Sequence, residues 1–312
     1  MIVASQVPSS LRPFRHPLLK DWSVAEGSNL SFDPNNMRYI DEDWDIFPSS
    51  SVAMGDQFVI SFSGLVKIAV DFGRRVIIPF DRSPNLTAAD FHHFLFDHVA
   101  PRIIAGLEFV VLHGAAISIN GKLAVLIGET GAGKSTLAAS LKYQGYDLLG
   151  DDAVVVTERN GVFYGDAIYP SLRLFPESLK AIYAGTVETS EMAHYSDKLR
   201  VDLPQETAIT GKCLPISAIF HVSKDGISDR AQSVKLTPLE TCMKCTEQSF
   251  AIDPHDPYAA VQRLGRVSKL ASLVPGFTLR YPRQFEFLSD VHKLIQNCMA
   301  TPTARKSYSD QA

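Results

Sequence analysis

The chain has 312 residues, is 46% hydrophobic and 21% charged, and carries a formal charge of −4 at neutral pH. That balance fits a globular protein of one large or two modest domains, and the absence of a long basic run argues against nucleic acid as a general partner. No apolar run approaches the ~18 residues of a membrane helix, and Met1-Ile2-Val3-Ala4-Ser5 lacks the start of a signal peptide, so the expectation is a cytoplasmic protein with no membrane partner.

The first fifty residues show no sustained period and are broken by Pro8, Pro13, Pro17, Pro34 and Pro48. Phe58 to Phe62, Val66 to Asp71 and Val76 to Ile78 then read as strands separated by turns at Ser63-Gly64 and Gly73. They predict a small antiparallel sheet. Thr87-Ala88-Ala89-Asp90 resembles a capping box and opens a helix with Phe91, Phe94, Leu95 and Val99 on one side. Pro101 is expected to kink or restart that helix. His92 and His93 point to different faces, and solvent or packing roles are expected for both. From its position, this N-terminal α+β module, residues 1–107, is expected to serve as a lid or docking unit.

Val110 to Leu112 and Ala115 to Ile119 are β-rich, and Asn120-Gly121 is a strong two-residue hairpin signal. The second arm, Lys122 to Ile127, runs into Gly128-Glu129-Thr130-Gly131-Ala132-Gly133-Lys134-Ser135. This is the phosphate-loop pattern of Gly, four residues, Gly-Lys-Ser/Thr. Its glycines let successive N–H groups turn toward phosphate oxygens. Lys134 can reach the β- and γ-phosphates, and the Ser135 hydroxyl can ligate Mg²⁺. Thr136 to Tyr143 read as the helix whose N-terminus faces the anion, and Gly145 as its stop. Leu148 and Leu149 form a short buried strand ending in Asp151-Asp152. One helix and one short strand separate this acidic pair from the loop, so the two should meet in space.

Val154 to Thr157 and Val162 to Tyr164 read as another hairpin, Tyr169 to Leu174 as extended chain, and Pro176 to Ala184 as a short helix. Residues 185–212 read as a polar loop containing His194, Lys198 and Arg200. Leu214 to Val222 and Gly276 to Arg280 read as strands. Pro257 to Leu273 reads as a helix with Val261, Leu264, Val267 and Leu270 at core spacing, and Phe285 to Met299 as the last helix. Residues 300–312 are expected to be a disordered tail. Cys242 and Cys245 have metal-like spacing, but no second pair completes a zinc site; they, Cys213 and Cys298 read as reduced thiols.

Taken together, His113-Gly114, the Gly128–Ser135 loop, the helix ending near Gly145 and Asp151-Asp152 resemble the HPr kinase/phosphorylase family and its smaller serine-kinase relatives. The likeness is close over residues 110–157 and loose beyond. It implies an α/β fold of mixed, α+β character: a phosphoenolpyruvate-carboxykinase-like P-loop kinase domain over residues 108–299. It implies nucleotide on Gly128, Glu129, Thr130, Gly131, Ala132, Gly133, Lys134, Ser135 and Thr136, Mg²⁺ on Ser135, and Asp152 as a second metal ligand or an orienting carboxylate. Asp151 would take the proton from a serine hydroxyl, with His113 beside the acidic pair. The sequence also departs from the family. Ser171-Leu172-Arg173 stands where the family has a Glu-Ile-Arg run, and the family's Pro-Val-Arg loop is absent.

The chemistry expected is ATP- and Mg²⁺-dependent phosphorylation of a serine on a peptide or small protein, such as a lasso-peptide precursor. Arg173 and Arg200 are candidates to offset charge on the transferring group, and Lys198, Arg200 or Lys212 candidates for the acceptor side. A nucleotide-binding regulator without transfer activity and a small-molecule kinase are the competing readings. The sequence leaves a homo-oligomer open.

Overall fold

The computed structural model describes residues 16–25, 49–54, 57–62, 64–201, 213–224 and 228–300. The expectations for Pro8, Pro13, Pro34, Pro48, Lys212 and the C-terminal tail beyond Ala300 fall outside these residues. Among the described residues no helix is long and apolar enough to cross a membrane.

The N-terminal part contains strands β1 (Ser23–Val24), β2 (Ser49–Met54), β3 (Gln57–Phe62), β4 (Val66–Asp71) and β5 (Val76–Phe80). They form a five-stranded sheet in the order β1-β5-β4-β3-β2. The β3-to-β5 meander is antiparallel as expected, while β2 adds an antiparallel strand and β1 a parallel edge that no period in the sequence announced. Helix α1 (Ala88–His93) opens with the expected box: the Thr87 hydroxyl accepts from Asp90 N, and the Asp90 carboxylate accepts from Thr87 N. A π-helical stretch, Phe94–Val99, then leads into α2 (Ala100–Gly106). The widened turn answers Pro101. Its missing N–H and bulky ring cannot sit in an unbroken α-helix, and Ala100 N donates five residues back to Leu95 O. Phe91, Phe94, Leu95 and Val99 are buried together with Ile60, Phe62 and Ile68 of the sheet. The same apolar cluster continues into Val111, Val155 and Ile168, so the N-terminal elements share a core with the strands that follow.

Those strands are β6 (Val110–Leu112), β7 (Gly114–Ile119) and β8 (Lys122–Ile127), followed by α3 (Lys134–Tyr143), β9 (Asp147–Gly150), β10 (Val154–Arg159) and β11 (Val162–Ala167). Next come β12 (Arg173–Leu174), α4 (Pro176–Tyr183), β13 (Thr189–Glu191) and β14 (Leu199–Val201). The chain closes with β15 (Leu214–Val222), β16 (Gln232–Lys235), α5 (Pro238–Glu247), α6 (Pro257–Leu273), β17 (Gly276–Arg280) and α7 (Leu288–Ala300). Among the described residues nine strands form one mixed sheet: β6-β10-β11-β15-β8-β7-β9 in order, with β17 beside β15 and β16 beside β17.

Both Asn-Gly hairpins form, with Asn120 and Gly121, and again Asn160 and Gly161, at positive φ. The phosphate-loop strand β8 is therefore antiparallel to β7 on one side and parallel to β15 on the other. Alternation splits its residues between two cores. Ala124 and Leu126 face α3 and α7, with Leu137 and Ile295; Leu123, Val125 and Ile127 face α5 and α6, with Cys245 and Leu270.

Three expectations change. Residues 189–191 and 199–201 are strands that join β12 in a small antiparallel sheet. Three polar residues such as Thr189-Ser190-Glu191 carry no period to read. Of the four residues expected in the core on α6, Val267 and Leu270 are buried; Val261 and Leu264 are 66% and 49% exposed, because the buried residues lie only in the C-terminal half of the helix. Finally, α5 and β16 occupy a stretch that was not assigned, although Thr237 and Glu240 form a complete capping box.

Candidate functional site

The loop after β8 is shaped by glycine. Gly128 has φ 146°, and a Cβ there would stand 2.6 Å from the Val222 carbonyl oxygen of the neighbouring β15. Gly133, φ 92°, is the N-cap of α3, and no side chain caps that helix. No side chain thus satisfies the first N–H groups of α3, and the positive end of the helix dipole lies at the loop. Lys134 is only 7% exposed and lies along the loop, its Nζ donating to Gly128 O at 2.7 Å and Glu129 O at 3.2 Å. Burial pulls its pKa down while Asp151 and Asp152 hold it up. Thr136 Oγ1 bonds Ser178 Oγ of α4 at 3.0 Å.

One clamp on the loop escaped the sequence reading. Arg283, just beyond β17, donates from Nη1 to Gly131 O at 3.1 Å and from Nη2 to Ser223 O at 3.2 Å. No motif marks it, because its partners are backbone carbonyls. Arg283→Ala is expected to weaken any nucleotide binding at this loop by about three- to tenfold, the worth of one or two modest hydrogen bonds, with little loss of thermal stability. Calorimetry and a melting curve on the same preparation check this.

The acidic pair arrives beside the loop as the spacing predicted. Asp151 is 3% exposed, and neither carboxylate oxygen completes a normal hydrogen bond. Burial, then the Asp152 charge, raises its pKa to about 6, with the Ser135 hydroxyl against it pulling the other way. The Ser171 hydroxyl donates to the Asp151 backbone carbonyl at 2.7 Å, which fixes the turn from below. Asp152 sits at φ 84°, an uncommon conformation for a residue with a side chain. Gly114 N donates to its carbonyl at 3.3 Å, so the His113-Gly114 segment does lie against the pair. The His113 imidazole is half-buried, and burial, followed by Lys134 and Lys198, keeps it neutral.

Arg173 is 4% exposed and is not a surface ion pair. Its Nη1 and Nη2 grip Asp97 Oδ2 and Oδ1 at 2.5 and 2.7 Å, while Nη2 also reaches Asp152 Oδ2 at 2.5 Å and Tyr169 Oη at 2.7 Å. Asp97 comes from the π-helical stretch, where it also takes His93 Nδ1 and the Tyr169 hydroxyl. Arg173 and His93 hold its carboxyl well below the usual range despite complete burial. Here a packing role for His93 proves too modest: it belongs to a buried ionic network. The signal was present, since His93 and Asp97 stand four apart on one helical face. Removing one member of such a network costs about 3–5 kcal/mol, because its partner is left charged and dry.

A cavity of ≈ 460 Å³ joins these parts. Thr130 to Thr136, His113, Asp152, Arg173 and Lys198 line it, together with His93, Phe94 and Asp97 from the N-terminal part. Lys198 Nζ lies 5.3 Å from the centre of the Phe175 ring. Arg200 takes a different direction: it pairs with Arg173 across the β12–β14 register but bonds His92 Nδ1 at 3.0 Å, and it does not line the cavity.

The mixed α/β sheet, with its glycine loop running from a strand into a helix, defines the fold class as that of a phosphate-loop protein. By sequence the chain is HPr kinase/phosphorylase-like. Over 60 residues it is 37% identical to the HPr kinase/phosphorylase of Mycoplasmopsis pulmonis, which is 19% of this chain and 19% of that one. Over 90 residues it is 30% identical to the HPr kinase/phosphorylase of Caldicellulosiruptor bescii, 28% of this chain and 27% of that one. The chain thus spans about a fifth to a quarter of the length of the curated relatives it matches. The solved Hpr(Ser) kinase/phosphatase of Coxiella burnetii aligns over 60% of this chain and 94% of its own, at 11% identity and a TM-score of 0.33. No family model matches.

Proposed function

We propose that this chain binds ATP with Mg²⁺ on the Gly128–Thr136 loop and transfers the γ-phosphoryl group to a serine hydroxyl of a peptide or small protein. The observation that carries the reading is one cavity lined both by the uncapped phosphate loop and by Asp152 of the acidic pair, with the buried Asp151 against Ser135 beside it. The two curated relatives are named as kinases, which supports it.

The roles follow from the chemistry. Backbone N–H groups and Lys134 hold the phosphates. Ser135 and Asp152 would hold the metal; both line the cavity beside the loop, and a hydroxyl and a carboxylate are the hard oxygen donors Mg²⁺ takes. When bound, Mg²⁺ offsets charge on the phosphate oxygens. Asp151 accepts the serine proton as the serine oxygen bonds to phosphorus; the bond from phosphorus to the bridging oxygen breaks, and ADP leaves with that electron pair. Its raised pKa makes the carboxylate a better base than an exposed aspartate while leaving it ionised at neutral pH. Arg173 and Lys198 supply positive charge to the same cavity.

A serine-containing peptide encoded beside the gene should gain the mass of one phosphate when incubated with the protein and ATP·Mg²⁺, and should not when that serine is alanine. The pre-formed cavity of ≈ 460 Å³, with polar and charged side chains in its lining, is the one observation that favours a small alcohol as acceptor instead. Phosphorylation of a metabolite with every neighbouring peptide untouched would establish that alternative.

A further inference from the structure

We infer that Asp90 and His194 are positioning residues for the acceptor: their contact ties residues 192–198, between β13 and β14, to helix α1 of the N-terminal part and thereby sets one wall of the acceptor's place in the cavity. The inference rests on the proposed transfer to a serine hydroxyl. Met192, Tyr195, Ser196, Asp197 and Lys198 all line the cavity. Asp90 is fully buried, and Thr87 N and Oγ1 donate to its Oδ2 at 2.9 and 2.6 Å. His194 reaches the same carboxylate from 104 residues away: its backbone N donates to Oδ1 at 2.9 Å and its Nδ1 to Oδ2 at 2.6 Å. An ionised carboxylate only accepts, so the imidazole carries a proton on Nδ1. Burial pushes the Asp90 pKa up, but the bonds from Thr87 and His194 outweigh it and keep the group ionised. Tyr195 adds a second hold, its ring stacked 5.8 Å from that of Phe94.

The charge on this segment shows which substrate it faces. After burial, which dominates for each, the Lys198 ammonium acts on Asp151, Lys134 and His113, so it stands near both the proposed base and the loop lysine. An alcohol that delivers its proton to Asp151 and its oxygen to the γ-phosphate has to enter beside it. The phosphate loop takes its own shape from other elements, through Gly128, Gly133 and the Arg283 clamp. Loosening residues 192–198 therefore removes a wall from the acceptor's side and leaves the nucleotide's cradle standing. A loose wall must be ordered each time the acceptor binds, and that cost falls on acceptor affinity, not on chemistry once the acceptor is seated. Asp90 thus serves twice: its carboxylate closes the capping box of α1 and anchors the segment that lines the cavity.

The test joins hydrogen exchange of residues 192–198 to transfer kinetics, on the full chain with ATP·Mg²⁺ and the serine peptide encoded beside the gene. His194→Ala removes one charge-assisted bond from a side chain that is 39% exposed, so the fold should survive it. It is expected to speed exchange in 192–198 by about three- to tenfold and to raise the peptide KM by a similar factor, with the ATP KM and kcat within about twofold of wild type. His194→Asn, whose amide N–H can stand where Nδ1–H stands, should recover most of the loss. Asp90→Asn should exceed His194→Ala, because its amide nitrogen cannot accept, and the double variant should fall short of the product of the two single effects, because both act through one contact. Should Asp90→Asn fail to fold for want of its cap, the two His194 variants decide. An unchanged peptide KM or unchanged exchange in His194→Ala, or an ATP KM that rises as far as the peptide KM, overturns the inference while transfer by the wild type stands. No phosphate on any serine peptide offered to the wild type overturns the transfer reading and the inference with it.

Discussion

Lys134→Ala is expected to lower transfer by about 10³-fold or more and to weaken ATP binding by about 10- to 100-fold. The ammonium is the one cation built into the phosphate loop itself, and it already lies against the loop's own carbonyls, pointing where anionic oxygens are drawn by the helix N-terminus. Each charge-assisted hydrogen bond to phosphate contributes roughly 1.5–3 kcal/mol, and at ~1.4 kcal/mol per decade one or two of them give the binding loss. The greater loss in rate arises because charge on the transferred group shifts during reaction, where a fixed cation counts most. Binding by calorimetry and turnover by ADP release are the measurements. Equal affinity and equal turnover in the variant would remove the phosphate-loop assignment. The fold should survive, since a buried ammonium is replaced by a small apolar group beside Gly128 and Ala132.

Asp151→Asn should behave in the opposite way, keeping nucleotide affinity within a few-fold while cutting transfer by about 10²- to 10⁴-fold, the usual worth of a general base. The amide matches the carboxylate in shape but cannot take the proton. Removing a buried negative charge beside Asp152 relieves repulsion, so the variant should melt no lower than the wild type. A combined measurement of Kd, kcat and melting temperature checks this. Unimpaired transfer by Asp151→Asn would move the base to Asp152, whose carboxylate is already engaged by Arg173.

Much of the site was legible because its logic is local. The phosphate loop, its hairpin strand and the acidic pair are linked by one helix and one short strand, and short connections leave few arrangements. The Asn-Gly turns, the Thr87–Asp90 cap and Pro101 each act through their own backbone neighbours, so their effects can be read from sequence and are met in the structure. The Asp97–Arg173–Asp152 bridge could not be read this way. Its members come from three distant stretches, and only the π-helical stretch beside β12 brings them within 3 Å. The small β12–β14–β13 sheet and the Arg283 clamp are invisible for the same reason: their partners are backbone groups far away in the chain. On α6, periodicity described an apolar face correctly, but it held no information on how much of that face meets the sheet.

The central claim is that this site moves a phosphoryl group to an alcohol. The most direct measurement is a single turnover with ATP labelled in the γ-phosphate, in the presence of Mg²⁺ and the serine peptides encoded near the gene, followed by locating the label. The account predicts label on a serine ester that is stable to acid and released by alkali, absent with Asp151→Asn. Label found only as inorganic phosphate, or still on ATP with every acceptor offered, would contradict it.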